Sequence, residues 1–254
     1  MQTTQTFSHE AEETPLPLLK SLPLFILPGL LMIAGVHGLM PALHRSGVSA
    51  ANSYLIAYAV PLSLILMGAV AAYGFTGQPW QWAAFRDRYR LGPLTGRDWL
   101  WILAALVAEA IAALSFGWLE GRVLETGIIP YPPVAQLSET ALEELVRGGA
   151  PAIAAMAGVL LISVAAEELW YRGYIFPRQA KAYSGLALIA VQWLPWWFFG
   201  HMFKWWGLLT ILPTTLITVL LFYKTGKTTV PLVMHYIGNA FSMPPIVLRV
   251  LGIL

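Results

Sequence analysis

The chain has 254 residues, 57% hydrophobic and only 11% charged, with a net charge of +2, a mean hydropathy of +0.65 and no cysteine. A water-soluble domain carries about 25% charged residues to wet its surface. These figures therefore exclude a soluble globule, a disordered chain, a disulfide scaffold and a basic nucleic-acid-binding domain, and they describe an integral membrane protein.

Met1 to Thr14 is polar, carries Glu10, Glu12 and Glu13, and lacks the basic n-region and small-residue cleavage site of a signal peptide. Residues 1–21 are expected to form a cytoplasmic tail ahead of a transmembrane domain over residues 22–254. A helix needs roughly 20 apolar residues to cross a bilayer core, because no water there satisfies backbone groups. Such runs predict helices over residues 22–43, 51–75, 99–119, 150–170, 185–203 and 207–223. Two shorter pieces, 230–241 and 246–254, flank the break at Pro244-Pro245. The expected fold is all-α, a polytopic transmembrane bundle of seven or eight helices.

Between the third and fourth runs, residues 120–147 hold Glu120, Glu125, Glu139, Glu143, Glu144 and three prolines, and the second half is expected to form a short amphipathic surface helix. Trp80, Trp82, Trp99, Trp101, Trp205 and Trp206 fall near predicted helix ends, as an interfacial aromatic belt requires. With the N-terminus inside, the inside segments contain Lys20, Arg86, Arg88, Arg90, Arg97, Arg172, Arg178, Lys181, Lys224 and Lys227. The outside segments contain only Arg45, Arg122, Arg147 and Lys204, with Arg249 unassigned. That bias favours N-inside. The expected location is a bacterial cytoplasmic membrane, crossed several times.

Ionisable side chains at membrane depth are costly, about 2.5–3.5 kcal/mol each on insertion scales, so each calls for a partner or a task. Three segments carry them together: Glu167-Glu168-Leu169-Trp170-Tyr171-Arg172 closing the fourth helix, Trp197-Phe198-Phe199-Gly200-His201 in the fifth, and His235-Tyr236-Ile237-Gly238-Asn239 in the seventh. Glu168 and Arg172 are four apart and share a helix face, acid before base. Glu167 lies about 100° further round, so the two carboxylates can serve different partners. His235 and Asn239 also share a face. Taken singly these strings are ordinary: a solvated helix end, a hydrogen-bonded structural histidine. Their order on consecutive apolar segments of a charge-poor chain is what points to a site. Glu109, in the third helix, is another intramembrane carboxylate, either bonded across helices or lining a cavity. Pro195 is expected to kink the fifth helix, Thr228 and Thr229 before Pro231 to start the seventh, and Gly200 and Gly238 to admit close helix approach.

This ordered set resembles the CAAX protease and bacteriocin-processing family (CPBP, or Abi), the type II CAAX prenyl endopeptidase-like intramembrane proteases, whose motifs are EExxxR, FxxxH and HxxxN. Arg172-Gly173-Tyr174 also matches the family's RGY, while Trp197 stands where the second motif has Phe. The resemblance covers about residues 150–241, the expected catalytic core. It implies a peptidase acting on a membrane-tethered or lipidated peptide among membrane lipids. Glu167 and His201 would activate water, His235 and Asn239 would stabilise the oxyanion, and Glu168 with Arg172 would be structural. Which glutamate takes which task is open. So is a zinc variant with Glu167, His201 and His235 as ligands; no other cofactor is expected. Because Arg172 and Arg178 were placed on the inside flank, the glutamates are expected near the cytoplasmic leaflet, with substrate entering from the cytoplasm or laterally. The competing classes are a transporter or channel, with polar groups strung along a path, and a non-catalytic immunity or scaffold protein. No internal repeat supports the transporter.

Overall fold

The computed structural model describes residues 14–241, and every regular element within them is helical. The helices are α1 (Leu18–Arg45), α2 (Ala50–Gly74), α3 (Trp82–Arg88), α4 (Gly96–Glu125), α5 (Pro133–Arg147), α6 (Gly149–Gln179), α7 (Gly185–His201), α8 (Leu208–Thr225) and α9 (Thr229–Phe241). Five apolar stretches are long enough to cross a bilayer: α1, α2, α4, α6 and Gly185–Thr225. Within the last, a 3-10 turn over Met202–Gly207, with Lys204 at φ −122° and ψ 51°, separates α7 from α8. The chain is an integral membrane protein. Helix α9 has 13 residues, about 20 Å, too short to span alone. The expected segment 246–254 with Arg249, and nearly all of the polar tail, lie outside the described residues.

Three boundaries differ from expectation. Helix α1 starts at Leu18, inside the expected tail, because Pro17 stands at the N-cap and Leu16 is already buried in the core. Helix α4 reaches from Gly96 to Glu125, its start set by a capping box in which Thr95 and Asp98 satisfy each other's backbone N–H. Helix α6 does not end near Trp170: it continues through a π-helical segment, Glu168–Ile175, to Gln179. Arg172 looked like a flank charge, but it is fully buried in the bundle and marks no helix end.

The acidic residues expected in a loop cap helices instead. The Thr210 N–H donates to Glu120 Oε2 at 3.0 Å, and the Ala51 N–H donates to Glu144 Oε2 at 2.9 Å. Each carboxylate thus satisfies the free donors at a helix N-terminus. Helix α5 is the expected amphipathic element, and it packs Val134, Ala141 and Leu145 inward along α2 and α6.

The opposite end is tied by contacts among the basic segments. The Leu16 N–H donates to the Arg178 carbonyl (3.0 Å), the Thr228 N–H donates to the Arg90 carbonyl (3.0 Å), and Lys227 Nζ meets Asp98 Oδ2 at 2.7 Å. The cation-rich segments before α1, around α3, after α6 and between α8 and α9 therefore share one end of the bundle. The belt tryptophans Trp80, Trp82, Trp99, Trp101 and Trp205 are exposed.

Prolines organise the interior. A proline leaves the carbonyl four residues earlier without its helical donor, and in a membrane a neighbouring side chain must supply one. The Leu24 carbonyl, freed by Pro28, accepts from Trp170 Nε1 at 2.8 Å; Val191, freed by Pro195, accepts from Gln179 Nε2 at 3.3 Å; Gly173, four before Pro177, accepts from Arg88 at 3.1 Å. Helix α7 thus continues through Pro195. The Ala57 carbonyl, freed by Pro61, is met by the backbone of Gly35, where any Cβ would collide with it. Three of these pins involve α6, so its π segment is held from α1, α3 and α7.

Candidate active site

Helix α6 supplies the centre of the site. Nineteen residues of α-helix precede Glu168, which opens the eight-residue π segment, and a four-residue turn follows that segment, so the paired glutamates stand in the interior of a continuous helix and not at its end. Arg172, expected on a flank, lies within that helix. Single π turns are rare in helices and concentrate at functional sites. Here Gln192 Nε2 donates to the Tyr171 carbonyl at 3.1 Å, holding the widened turn open.

The two glutamates face different partners. Glu168 is fully buried: its Oε2 lies 3.4 Å from Arg172 Nε, and its Oε1 accepts from His235 Nδ1 at 2.9 Å. Arg172 is equally buried and stacks its guanidinium over the Trp196 ring, 3.4 Å from the centroid. None of its nitrogens makes an aligned hydrogen bond among the described residues, so Coulomb attraction and the ring face hold the charge. Glu167 points into a cavity of about 240 Å³. Ser163 Oγ is 3.5 Å from its Oε1, and His201 Nε2 is 3.9 Å from its Oε2.

His201 closes α7 and turns Nδ1 to the Trp196 carbonyl at 3.1 Å. A carbonyl only accepts, so Nδ1 carries a proton and Nε2 is the nitrogen turned to Glu167. The 3-10 turn that follows is fastened by His37, whose Nε2 donates to the Phe203 carbonyl at 2.8 Å. His235 and Asn239, one turn apart on α9, both line the same cavity. Glu167, His201, His235 and Asn239, from three segments, are therefore brought together, with Glu168 and Arg172 directly behind them. No three His, Asp or Glu side chains among the described residues are grouped as an ion requires. The zinc set Glu167, His201 and His235 is not such a group; His235 turns Nδ1 to Glu168 and His201 turns Nδ1 to the Trp196 carbonyl, which leaves each ring its Nε2.

Four neighbours carried no sequence signal: Ser163, Tyr171, Trp196 and Lys204, all lining the cavity. Glu109 had been left between two roles. Its carboxylate packs on the bare backbone of Gly238, beside the Thr214 hydroxyl and within electrostatic reach of His235. Gly200 plays a similar part for Tyr171, whose hydroxyl a Cβ there would crowd.

No curated protein and no solved structure matches the chain. Residues 149–241, from the first turn of α6 to the end of α9, match the family model described as type II CAAX prenyl endopeptidase Rce1-like, and this is the stretch that carries the three motifs.

Proposed function

We propose that this protein is an intramembrane endopeptidase that hydrolyses a peptide bond of a membrane-associated substrate with a water activated by Glu167 and His201. The observation that carries the reading is the 3.9 Å gap between Glu167 Oε2 and His201 Nε2. It is too long for a direct hydrogen bond. Two hydrogen bonds of about 2.8 Å meeting at roughly a right angle on one oxygen span about 4 Å, so the pair suits a shared water.

The adjacent glutamate is committed elsewhere, to Arg172 and His235, which leaves Glu167 as the base. As water attacks the carbonyl carbon, its proton passes to Glu167 and the carbonyl oxygen becomes anionic. Asn239 donates to that oxygen through its amide. His235, with Nδ1 given to Glu168, donates from Nε2 when both ring nitrogens carry protons. Collapse of the intermediate breaks the C–N bond, and the proton held by Glu167 goes to the leaving nitrogen, giving a carboxylic acid and an amine. Positioning and oxyanion stabilisation make up the rest of the barrier reduction.

The polar groups meet in one cluster, which favours hydrolysis over a transport path. The test is cleavage of a membrane-tethered peptide by purified protein in liposomes, with expression and monodispersity measured in parallel. Glu167→Gln and His201→Ala should each lower the rate by about a hundredfold or more, the scale of losing one proton-transfer group. A chelator should leave it unchanged, and the purified protein should carry no stoichiometric zinc. Full activity in Glu167→Gln would end the reading.

A further inference from the structure

We infer that the catalytic cavity opens on the membrane face opposite the cytoplasm, so that the substrate is a membrane-tethered peptide presented on that outer face. This rests on the peptidase reading for what the cavity does, and on the fold and the distribution of charge for where it opens.

The direction follows from which ends of the helices line the cavity. Tyr54 and Leu55 belong to the first turns of α2, Met156 to the first half of α6, Lys204 to the turn before α8, and Ile211 to the first turn of α8. All of these lie toward the end where Glu144 caps α2 and Glu120 caps α8. Leu55, Met156 and Lys204 are partly exposed, as residues of a mouth should be. From there the cavity narrows to Glu167, His201, His235 and Asn239.

Below those residues the bundle is sealed. Tyr171, Ile175, Phe176, Leu188, Trp196 and Phe222 form one buried apolar cluster between the site and the end where Arg178, Arg90 and Lys227 lie. The Arg172 guanidinium sits on Trp196 as part of that floor. A hydrophilic peptide has no route through it.

Charge then assigns the faces. The sealed end carries Lys20, Arg86, Arg97, Arg178, Lys181 and Lys224 on helix ends and connections, against Arg45, Arg122, Arg147 and Lys204 at the mouth end, where the glutamates of α4 and α5 also lie. Cytoplasmic connections hold the excess of lysine and arginine, so the sealed end is cytoplasmic. The sequence led to an expected entry from the cytoplasm or laterally between helices; the inferred opening lies on the face opposite the cytoplasm.

The chain contains no cysteine, so single cysteines report accessibility directly. Leu55→Cys and Met156→Cys probe the mouth, Arg147→Cys its rim, and Lys181→Cys the sealed end. Each full-length variant is expressed in a bacterial cytoplasmic membrane and exposed to a membrane-impermeant maleimide, first in intact spheroplasts and then in inverted vesicles. Positions 55, 156 and 147 should label in spheroplasts, at least about tenfold faster than Lys181→Cys, which should label only in inverted vesicles. Labelling of 55 and 156 from the same side as 181, or of neither position from either side while detergent-denatured protein labels fully, overturns the inference. So does labelling of 181 in spheroplasts. The assay requires no catalysis: if the labelling pattern holds while Glu167→Gln cleaves normally, the peptidase reading has failed and the opening has not.

Discussion

Glu109 rests against Gly238: a Cβ at that position would stand 2.5 Å from the carboxylate Oε2. The missing side chain lets α4, outside the family-matched stretch, press a carboxylate onto α9 between His235 and Asn239. Gly238→Ala should fold, since the colliding atom is the end of a flexible side chain. It should nevertheless lower activity by about tenfold or more, because either Glu109 or the α9 backbone must shift beside two functional side chains. Combining it with Glu109→Ala removes the collision and should recover most of that loss. A double variant as slow as Gly238→Ala alone would show that this contact does not set the geometry of α9.

Arg172 and Glu168 form an ion pair with both side chains fully buried. Removing one partner of such a pair leaves an uncompensated charge and costs about 3–5 kcal/mol. Arg172→Ala should therefore reduce the thermal stability of the detergent-purified protein and its yield in the membrane. Arg172→Lys should not restore it, because a lysine ammonium cannot reproduce the planar stacking on Trp196. An Arg172→Ala protein melting at the wild-type temperature would contradict the burial argument.

His235 reaches Glu168 through Nδ1 at 2.9 Å, so these two residues should act as one unit. Glu168→Gln and His235→Ala are each expected to cut the turnover number with a smaller change in KM, and the double variant should be no slower than the worse single one. Side chains in direct contact couple by about 0.5–3 kcal/mol. Strictly multiplicative losses in a double-mutant cycle would mean that the hydrogen bond does not orient the ring.

Trp170→Phe should leave the Leu24 carbonyl, freed by Pro28, without a donor. An unsatisfied buried acceptor costs about 1–3 kcal/mol. Pro28→Ala introduced into the same variant restores a backbone N–H to that carbonyl, so it should recover stability that Pro28→Ala alone does not add. Thermal unfolding of the four proteins decides the point; no recovery in the double variant would locate the cost of Trp170→Phe in packing instead.

Much of the bundle was legible in the sequence because membrane insertion imposes a length on apolar runs. The starts and ends of the runs were less so. Glu120 seemed a loop residue yet caps α8 from a neighbouring helix, and Arg172 seemed a flank charge yet lies under Trp196. In both cases the partner is remote in sequence, and polarity alone reads as exposure. The motif residues were visible because ionisable groups are scarce among apolar ones. Their supports, Ser163, Tyr171, Trp196 and Gln192, look like ordinary membrane-helix residues until the helices are brought together.

Composition and the spacing of charges by themselves determined that this chain lives in a membrane as a helical bundle, because hydrocarbon leaves the backbone no other partner than its own. They also determined which polar groups had to find partners within it. Only the tertiary structure decided which glutamate is committed to Arg172 and His235 and which looks into the cavity, and toward which end that cavity opens. Those outcomes depend on the π turn of α6 and on how α7 and α9 meet it, and such contacts are set by packing between segments far apart in the chain.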